Sequence, residues 1–291
     1  MISDQEYQSL SIPPKIKQAY SDLQLVATTS YYKVFEATNR STYQRHTIRA
    51  LDTESEFYLK DRNFASTLFI QELLYVATRF SENDVVIIEN FEISGEYIGY
   101  VTKPTYSLKT KLEDVARKSP INIEKLFDDT LSNLEFLFNT LKFTNSTVKA
   151  DTIIQFEECD GYFIADWADC SLSDEKSLEM SSYLGLDAPG TQQIFDLATI
   201  ILEVTGINKQ DIKFFKNLKD EELYTSSVFS ITENIKPKNF QKLIQRSLIK
   251  DPETHLTLER YFQEVPHPRR SHIGSHSPES KVSGIICHLS A

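Results

Sequence analysis

The sequence predicts an α+β fold: a small β-rich part carrying one helix (residues 22–103), then a larger, mainly α-helical part (residues 104–264). Three observations support it. Runs of β-branched and aromatic residues crowd into the N-terminal third. One amphipathic stretch, Asn63 to Thr78, interrupts them. Beyond Pro104 the apolar residues fall mostly at helical spacing.

The elements follow in order. Residues 1–21 are polar, carry Pro13-Pro14, and read as a leader with a marginal helix. Leu23 to Ala37 has strand chemistry broken at Thr28-Thr29-Ser30, which predicts a hairpin, and Arg45 to Leu51 is a third strand. The helix Asn63–Thr78 places Phe64, Leu68, Phe69, Leu73, Leu74 and Val76 mostly on one face. Val85–Phe91 and Glu96–Val101 read as two further strands joined at Ser94-Gly95. A short helix over Leu108–Arg117 precedes a long amphipathic one over Ile123–Phe143. Strands Thr152–Phe156 and Tyr162–Ala165 come next. The rest is helical: the almost wholly apolar Ile194–Val204 is a central buried helix, and Phe240–Leu248 and Thr257–Gln263 are amphipathic. The tail, residues 265–291, is rich in His, Ser, Pro and Arg and is expected to be disordered.

Composition narrows the function classes. Over 291 residues, 40% hydrophobic and 25% charged is ordinary globular composition for one or two domains. A net charge of -11 argues against a nucleic-acid partner, which would need a basic stripe. Cys159, Cys170 and Cys287 form no CxxC, so neither a disulfide framework nor a zinc site is expected, and a reducing, cytoplasmic setting fits. No apolar run approaches the roughly 20 residues of a membrane helix, so no membrane partner is expected. The sequence contains no P-loop, no G-x-S-x-G and no H-E-x-x-H.

One stretch organises the chain, Cys159-Asp-Gly-Tyr-Phe-Ile-Ala-Asp-Trp-Ala-Asp169: a tight Asp160-Gly161 turn, a strand, and a lone acidic residue where a buried sheet meets solvent. Asp166-Trp167-Ala168 resembles the metal-binding Asp-Phe-Gly segment of protein kinases. Other stretches fall around it in the order that family has. Ala27-Thr-Thr-Ser-Tyr-Tyr-Lys-Val34 matches the phosphate-covering loop, with Ala27, Thr29 and Tyr32 at the three glycine positions. Tyr32 there fills space that phosphates would use. His46-Thr-Ile-Arg49 takes the place of V-A-I-K, so Arg49 replaces the lysine, and Glu72 matches the helix glutamate that pairs with it. An Arg49–Glu72 ion pair would tie helix to sheet; Glu72 reads equally as an exposed helix carboxylate. In the catalytic-loop position Thr147 stands where the base aspartate belongs, Lys149 matches, and Thr152 replaces the metal-binding asparagine. In a shifted register Asp151 is the candidate base. Lys250-Asp-Pro-Glu-Thr-His255-Leu-Thr257 resembles K-D-P-x-x-R-P-T, with His255 for arginine.

This resemblance, covering about Ser21 to Glu264, implies a bilobal protein-kinase-like fold. The substitutions imply a pseudokinase, because a threonine cannot act as a base near neutral pH. Its expected role is regulatory or scaffolding, through a protein partner such as an active kinase, bound by the helical part or the helix Asn63–Thr78. The alternatives are a divergent but active Ser/Thr kinase using ATP and Mg²⁺, with Asp166 as metal ligand, and a helical interaction protein of other ancestry.

Overall fold

The structure, a computed structural model, describes residues 11–80, 88–113, 121–141, 143–144, 148–156, 161–167, 171–172, 191–249 and 255–264. Five antiparallel strands form the main sheet: β1 (Tyr20–Thr28), β2 (Tyr32–Asn39), β3 (Arg45–Leu51), β4 (Ile88–Ser94) and β5 (Tyr97–Thr102), in the order β1-β2-β3-β5-β4. The predicted hairpin and third strand are therefore present. The predicted fourth strand begins at Ile88 among the described residues and runs on to Ser94; residues 85–87 lie outside them.

Period-2 alternation gives the sheet two faces. Phe35, Ala37, Ile48, Ala50 and Val101 point one way, into a core completed by Ile12, Ile16, Tyr20 and Leu23. The stretch expected as a leader is thus packed structure from Ser11 onward. Helix α1 (Pro14–Ala19) is too short to stand alone. Tertiary contacts hold it: Glu92 Oε2 accepts the Lys15 and Ile16 amides at 2.8 and 3.0 Å. Pro13 lies so close to Gly99 that a Cβ there would sit 2.8 Å from the proline ring.

The opposite face carries Tyr32, Leu51, Ile98 and Tyr100 into the larger core. Against it packs α3 (Arg62–Phe80), the predicted single helix, preceded by the short α2 (Glu56–Lys60) with Ser55 as its cap. Leu68, Phe69, Leu73 and Val76 supply the buried stripe of α3.

Three short strands then form a second sheet, β6 (Thr105–Ser107), β8 (Ile153–Phe156) and β9 (Tyr162–Ile164), ordered β6-β8-β9. Strands β7 (Phe143–Thr144) and β10 (Ser171–Leu172) pair separately. Helices α4 (Leu108–Glu113) and α5 (Ile123–Glu135) lie between β6 and β7; α6 (Thr191–Val204), α7 (Lys209–Lys216), α8 (Glu221–Ile231), α9 (Lys238–Leu248) and α10 (Leu258–Glu264) complete the helical part. The long helix expected over Ile123–Phe143 is α-helical only to Glu135 and continues as a π-helical turn over Phe136–Thr140. That turn sets Phe136 against Tyr75, ring centroids 5.0 Å apart. The predicted central helix is present as α6, with Ile194, Leu197, Ala198, Ile201 and Leu202 buried. The second half of the Leu108–Arg117 prediction lies outside the described residues, as does the tail.

Among the described residues, strand β9 has β8 on one edge and no strand on the other. Helix α5 satisfies that free edge: Asp129 Oδ2 accepts the Tyr162 amide at 3.1 Å and Asn133 Oδ1 accepts the Ile164 amide at 2.7 Å. The match is geometric. Four helical residues rise about 6 Å and two strand residues about 6.7 Å, so an i, i+4 pair of acceptors reaches an i, i+2 pair of amides. This docking fixes β9, and with it the residues that follow. Replacing Asn133 by Leu should leave the Ile164 amide buried without an acceptor. The expected loss is roughly 1–3 kcal/mol in a denaturant titration, with faster exchange at that amide.

Candidate functional site

Four of the positions singled out in the sequence, Arg49, Glu72, Asp166 and Trp167, meet on the helix-bearing side of the main sheet. Register brings them there: Arg49 on β3 pairs with Val34 on β2 and Tyr100 on β5, all on the face turned toward α3. Glu72 arrives from α3, and Asp166 and Trp167 arrive just after β9.

Glu72 is fully buried, which removes its reading as an exposed helix carboxylate. Nor does it form the expected ion pair: among the described residues no salt bridge joins it to Arg49. Two phenols take its oxygens instead. Tyr31 Oη donates to Oε2 at 2.7 Å and Tyr100 Oη donates to Oε1 at 3.3 Å. Burial pushes the carboxyl up to about 7; the Tyr31 hydrogen bond and the Arg49 charge oppose that rise, and the Asp166 charge adds to it. Burial, and then the Glu72 charge, hold the Tyr31, Tyr32 and Tyr100 hydroxyls well above their ordinary range, so all three stay neutral donors.

Arg49 is buried too, and turns to hydroxyls and ring faces. Nη2 donates to Thr105 Oγ1 at 2.9 Å and Nη1 to Thr102 Oγ1 at 3.3 Å. The guanidinium carbon lies 5.4 Å from the Phe163 ring centre and 5.8 Å from that of Tyr100. Thr105 also gives its amide to Thr47 Oγ1 at 2.9 Å. Arg49 therefore ties the main sheet to β6 and β9 rather than to α3.

The β1–β2 loop closes over this cluster. Ser30 donates both its amide and its hydroxyl to Asp166 Oδ2, each at 3.3 Å. Thr29 Oγ1 accepts the Tyr31 and Tyr32 amides at 3.4 and 3.1 Å and donates to the Tyr32 carbonyl at 2.9 Å. Tyr31 Oη, besides binding Glu72, accepts the Trp167 amide at 3.2 Å. Asp166 holds a left-handed backbone, φ 60°, uncommon for a residue with a side chain. The Trp167 indole donates to the Ile164 carbonyl at 2.7 Å and lies buried against Tyr75 and Phe136.

A loop that cradles phosphate must offer backbone N–H groups. Here the amides of Ser30, Tyr31 and Tyr32 already have acceptors within the chain. Of the three glycine positions, Ala27 is exposed, Thr29 binds its own loop, and Tyr32 is buried with its ring 5.5 Å from Phe69. An entering phosphate would have to displace Thr29 and Asp166 from all three amides. The loop as arranged does not present these amides to a nucleotide phosphate.

The catalytic-loop positions are only partly described. Thr147 lies outside the described residues, together with Ala168. Lys149 and Asp151 are exposed. Thr152 Oγ1 donates to the Lys149 carbonyl and accepts its amide, 3.0 and 3.1 Å, so it closes a turn. His255 is buried with Nδ1 2.7 Å from the Ile249 carbonyl, and burial lowers its basicity, keeping it neutral. Among the described residues no three or more His, Cys, Asp or Glu side chains converge in a metal-binding group, and no helix is long and apolar enough to cross a membrane.

Sequence reasoning missed Ser30, Tyr31, Tyr100, Asp129 and Asn133. The adjacent Tyr31-Tyr32 pair was a usable signal, since strand alternation sends consecutive residues to opposite faces unless a loop intervenes.

Glu72 gives a pH signature. Its folded-state value is raised above the ordinary 4.5 to about 7, so across that window the folded chain binds a proton that the unfolded chain has lost. Stability therefore falls as pH rises from about 4.5 to about 7 and levels off above. Unfolding titrations of the wild type and Glu72→Gln should diverge over that range by roughly 1.4 kcal/mol for each pH unit, the wild type losing ground. Parallel curves would mean that Glu72 titrates normally.

Neither a protein-family model nor a curated protein matches the sequence, so the functional reading rests on the geometry of this cluster.

Proposed function

We propose that the chain is a bilobal protein-kinase-like module that has given up phosphotransfer and acts as a regulatory or scaffolding protein by binding a protein partner, such as an active kinase. The single observation that carries this reading is the self-satisfied β1–β2 loop: three amides that a nucleotide would need are bound by Thr29 and Asp166.

Other features support it. A five-stranded antiparallel sheet bearing one long helix, followed by a mainly helical part, is the arrangement the resemblance implies. The positions matched to the family's strand cation, helix acid and strand-end acid also come together. Arg49 and Asp166 both act electrostatically on Glu72, and Tyr31 bridges Glu72 to Trp167. An accidental resemblance gives no reason for three residues from separate parts of the chain to converge. Thr152, matched to the metal-binding asparagine, is engaged in its own turn. Exposed Phe214, Leu223 and Phe229 on α7 and α8 agree with partner contact through the helical part.

The test is thermal stability of the full chain with millimolar ATP, in magnesium or in EDTA. A ligand at 100 times its dissociation constant would add about 2.7 kcal/mol to the folded state, a rise of several degrees. No rise is expected. A magnesium-dependent rise that disappears in Asp166→Ala would overturn the reading and favour a divergent active kinase.

A further inference from the structure

Helices α7 and α8 are joined by residues 217–220 and pack through buried rings, with the centroids of Phe215 and Tyr224 5.7 Å apart. The neighbour of each buried ring faces outward: Phe214 is 66% exposed and Leu223 is 52% exposed. Beside α8 runs a groove of about 430 Å³, lined among the described residues by Glu221, Glu222, Thr225, Ser226 and Phe229. Phe229 is itself half-exposed. An outward phenylalanine thus stands on the helix next to an open groove with an aromatic wall, and Phe214 is not among the residues that line that groove in its own chain.

The charges divide in the same way. Lys213 flanks the outward ring on α7, while Glu221 and Glu222 line the groove on α8. Among the described residues none of these three has an ion-pair partner. Other lysines of α7 do find partners: Lys209 pairs with Glu203 at 3.3 Å, and Lys216 turns over the Phe195 ring. The helix dipole accounts for carboxylates in the first turn of α8, but not for an apolar groove between them and Phe229. A lysine-flanked aromatic knob and an acid-rimmed aromatic groove are complementary in shape and charge, and one chain carries both. Residues 265–291 bring Arg269-Arg270 but no aromatic side chain, so they match the groove less well.

We propose that the α7–α8 surface is an interface between two copies of the chain related by a two-fold axis. Phe214 of each copy enters the groove beside Phe229 of the other, and Lys213 meets Glu221 and Glu222 across the contact. A two-fold axis makes the same contact twice and uses up both knobs and both grooves, so the assembly closes at two. The aromatic anchors supply affinity once water is excluded from them, and the flanking charges set the register. The inference stands apart from the proposed function, since it requires neither kinase ancestry nor an empty cleft. A foreign partner meets α7–α8 as a competitor of the second copy.

The experiment is sedimentation velocity of the full chain, without nucleotide, from about 1 to about 100 µM. The wild type should shift from the 33.5 kDa monomer to a species of twice that mass, with none larger. Lys213→Glu, and separately Glu221→Lys combined with Glu222→Lys, should each weaken pairing roughly tenfold or more. Mixing these two variants should restore it, because each then carries the charge the other needs and both contacts are repaired together. Phe214→Asp should stay monomeric, and circular dichroism like that of the wild type shows that these exposed substitutions keep the fold. A wild type that is monomeric at the highest concentration, or that builds larger assemblies, overturns the proposal and leaves the surface to a different protein or to residues 265–291. A dimer untouched by Lys213→Glu and Phe214→Asp, or charge variants that fail to pair when mixed, overturns it as well. With no nucleotide and no second protein present, failure here leaves the proposed function standing, and ATP binding would sink that function without deciding this inference.

Discussion

A buried carboxylate that no salt bridge reaches among the described residues constrains the whole cluster. Glu72 sits at zero exposure on α3, and leaving it both charged and unpaired would cost far more than a helix face can supply. Three remedies exist: a salt bridge, hydrogen-bond donors, or a proton. The chain uses the second and reaches toward the third, with phenols from Tyr31 and Tyr100 on the two oxygens and a titration point lifted to about 7. Tyr31 must turn inward to serve, and that decides where the loop can go. Once its hydroxyl is beneath the sheet it also takes the Trp167 amide, so the conformation of Asp166-Trp167 is set by a demand that begins at Glu72.

The separation of Arg49 from Glu72 follows from the same arrangement. With both carboxylate oxygens occupied by phenols, the guanidinium is free to satisfy the second sheet. Its planar fork suits two threonine hydroxyls flanked by ring faces, a geometry a lysine ammonium would not match. The two opposite charges still attract across the cluster, which is why Arg49 holds the Glu72 value down, but each has its own local partners. Position is therefore fixed twice over. Arg49 ties the main sheet to β6, while Asp129 and Asn133 anchor β9 from the helical side.

Much of the architecture was legible in the sequence because periodicity reports which face is buried. Alternation in β2 and β3, the apolar stripe of α3 and the near-continuous apolar run of α6 each state their own packing. Other features depend on partners far along the chain. Nothing within Pro14–Ala19 says that Glu92 will cap it or that Gly99 leaves room for Pro13. The π-helical turn at Phe136 carries no local mark, since its residues suit an α-helix. At the site, residue types could be read but pairings could not. Arg49 and Glu72 invited an ion pair, and the outcome turned on two tyrosines, one beside a loop and one on β5, whose hydroxyls no sequence pattern assigns. Thr147, the position on which the catalytic argument leans most, lies outside the described residues.

A site that binds phosphate has to keep donors waiting, and each buried amide held without a partner costs roughly 1–3 kcal/mol until the ligand arrives. In this chain the loop amides are occupied by Thr29 and Asp166, so that cost is absent. On the proposed reading, what would disable a catalyst stabilises a scaffold. The left-handed backbone at Asp166 fits the same logic: strain there is tolerated because Ser30, through the side chain, and Trp167, through the neighbouring amide, pin the residue from both sides.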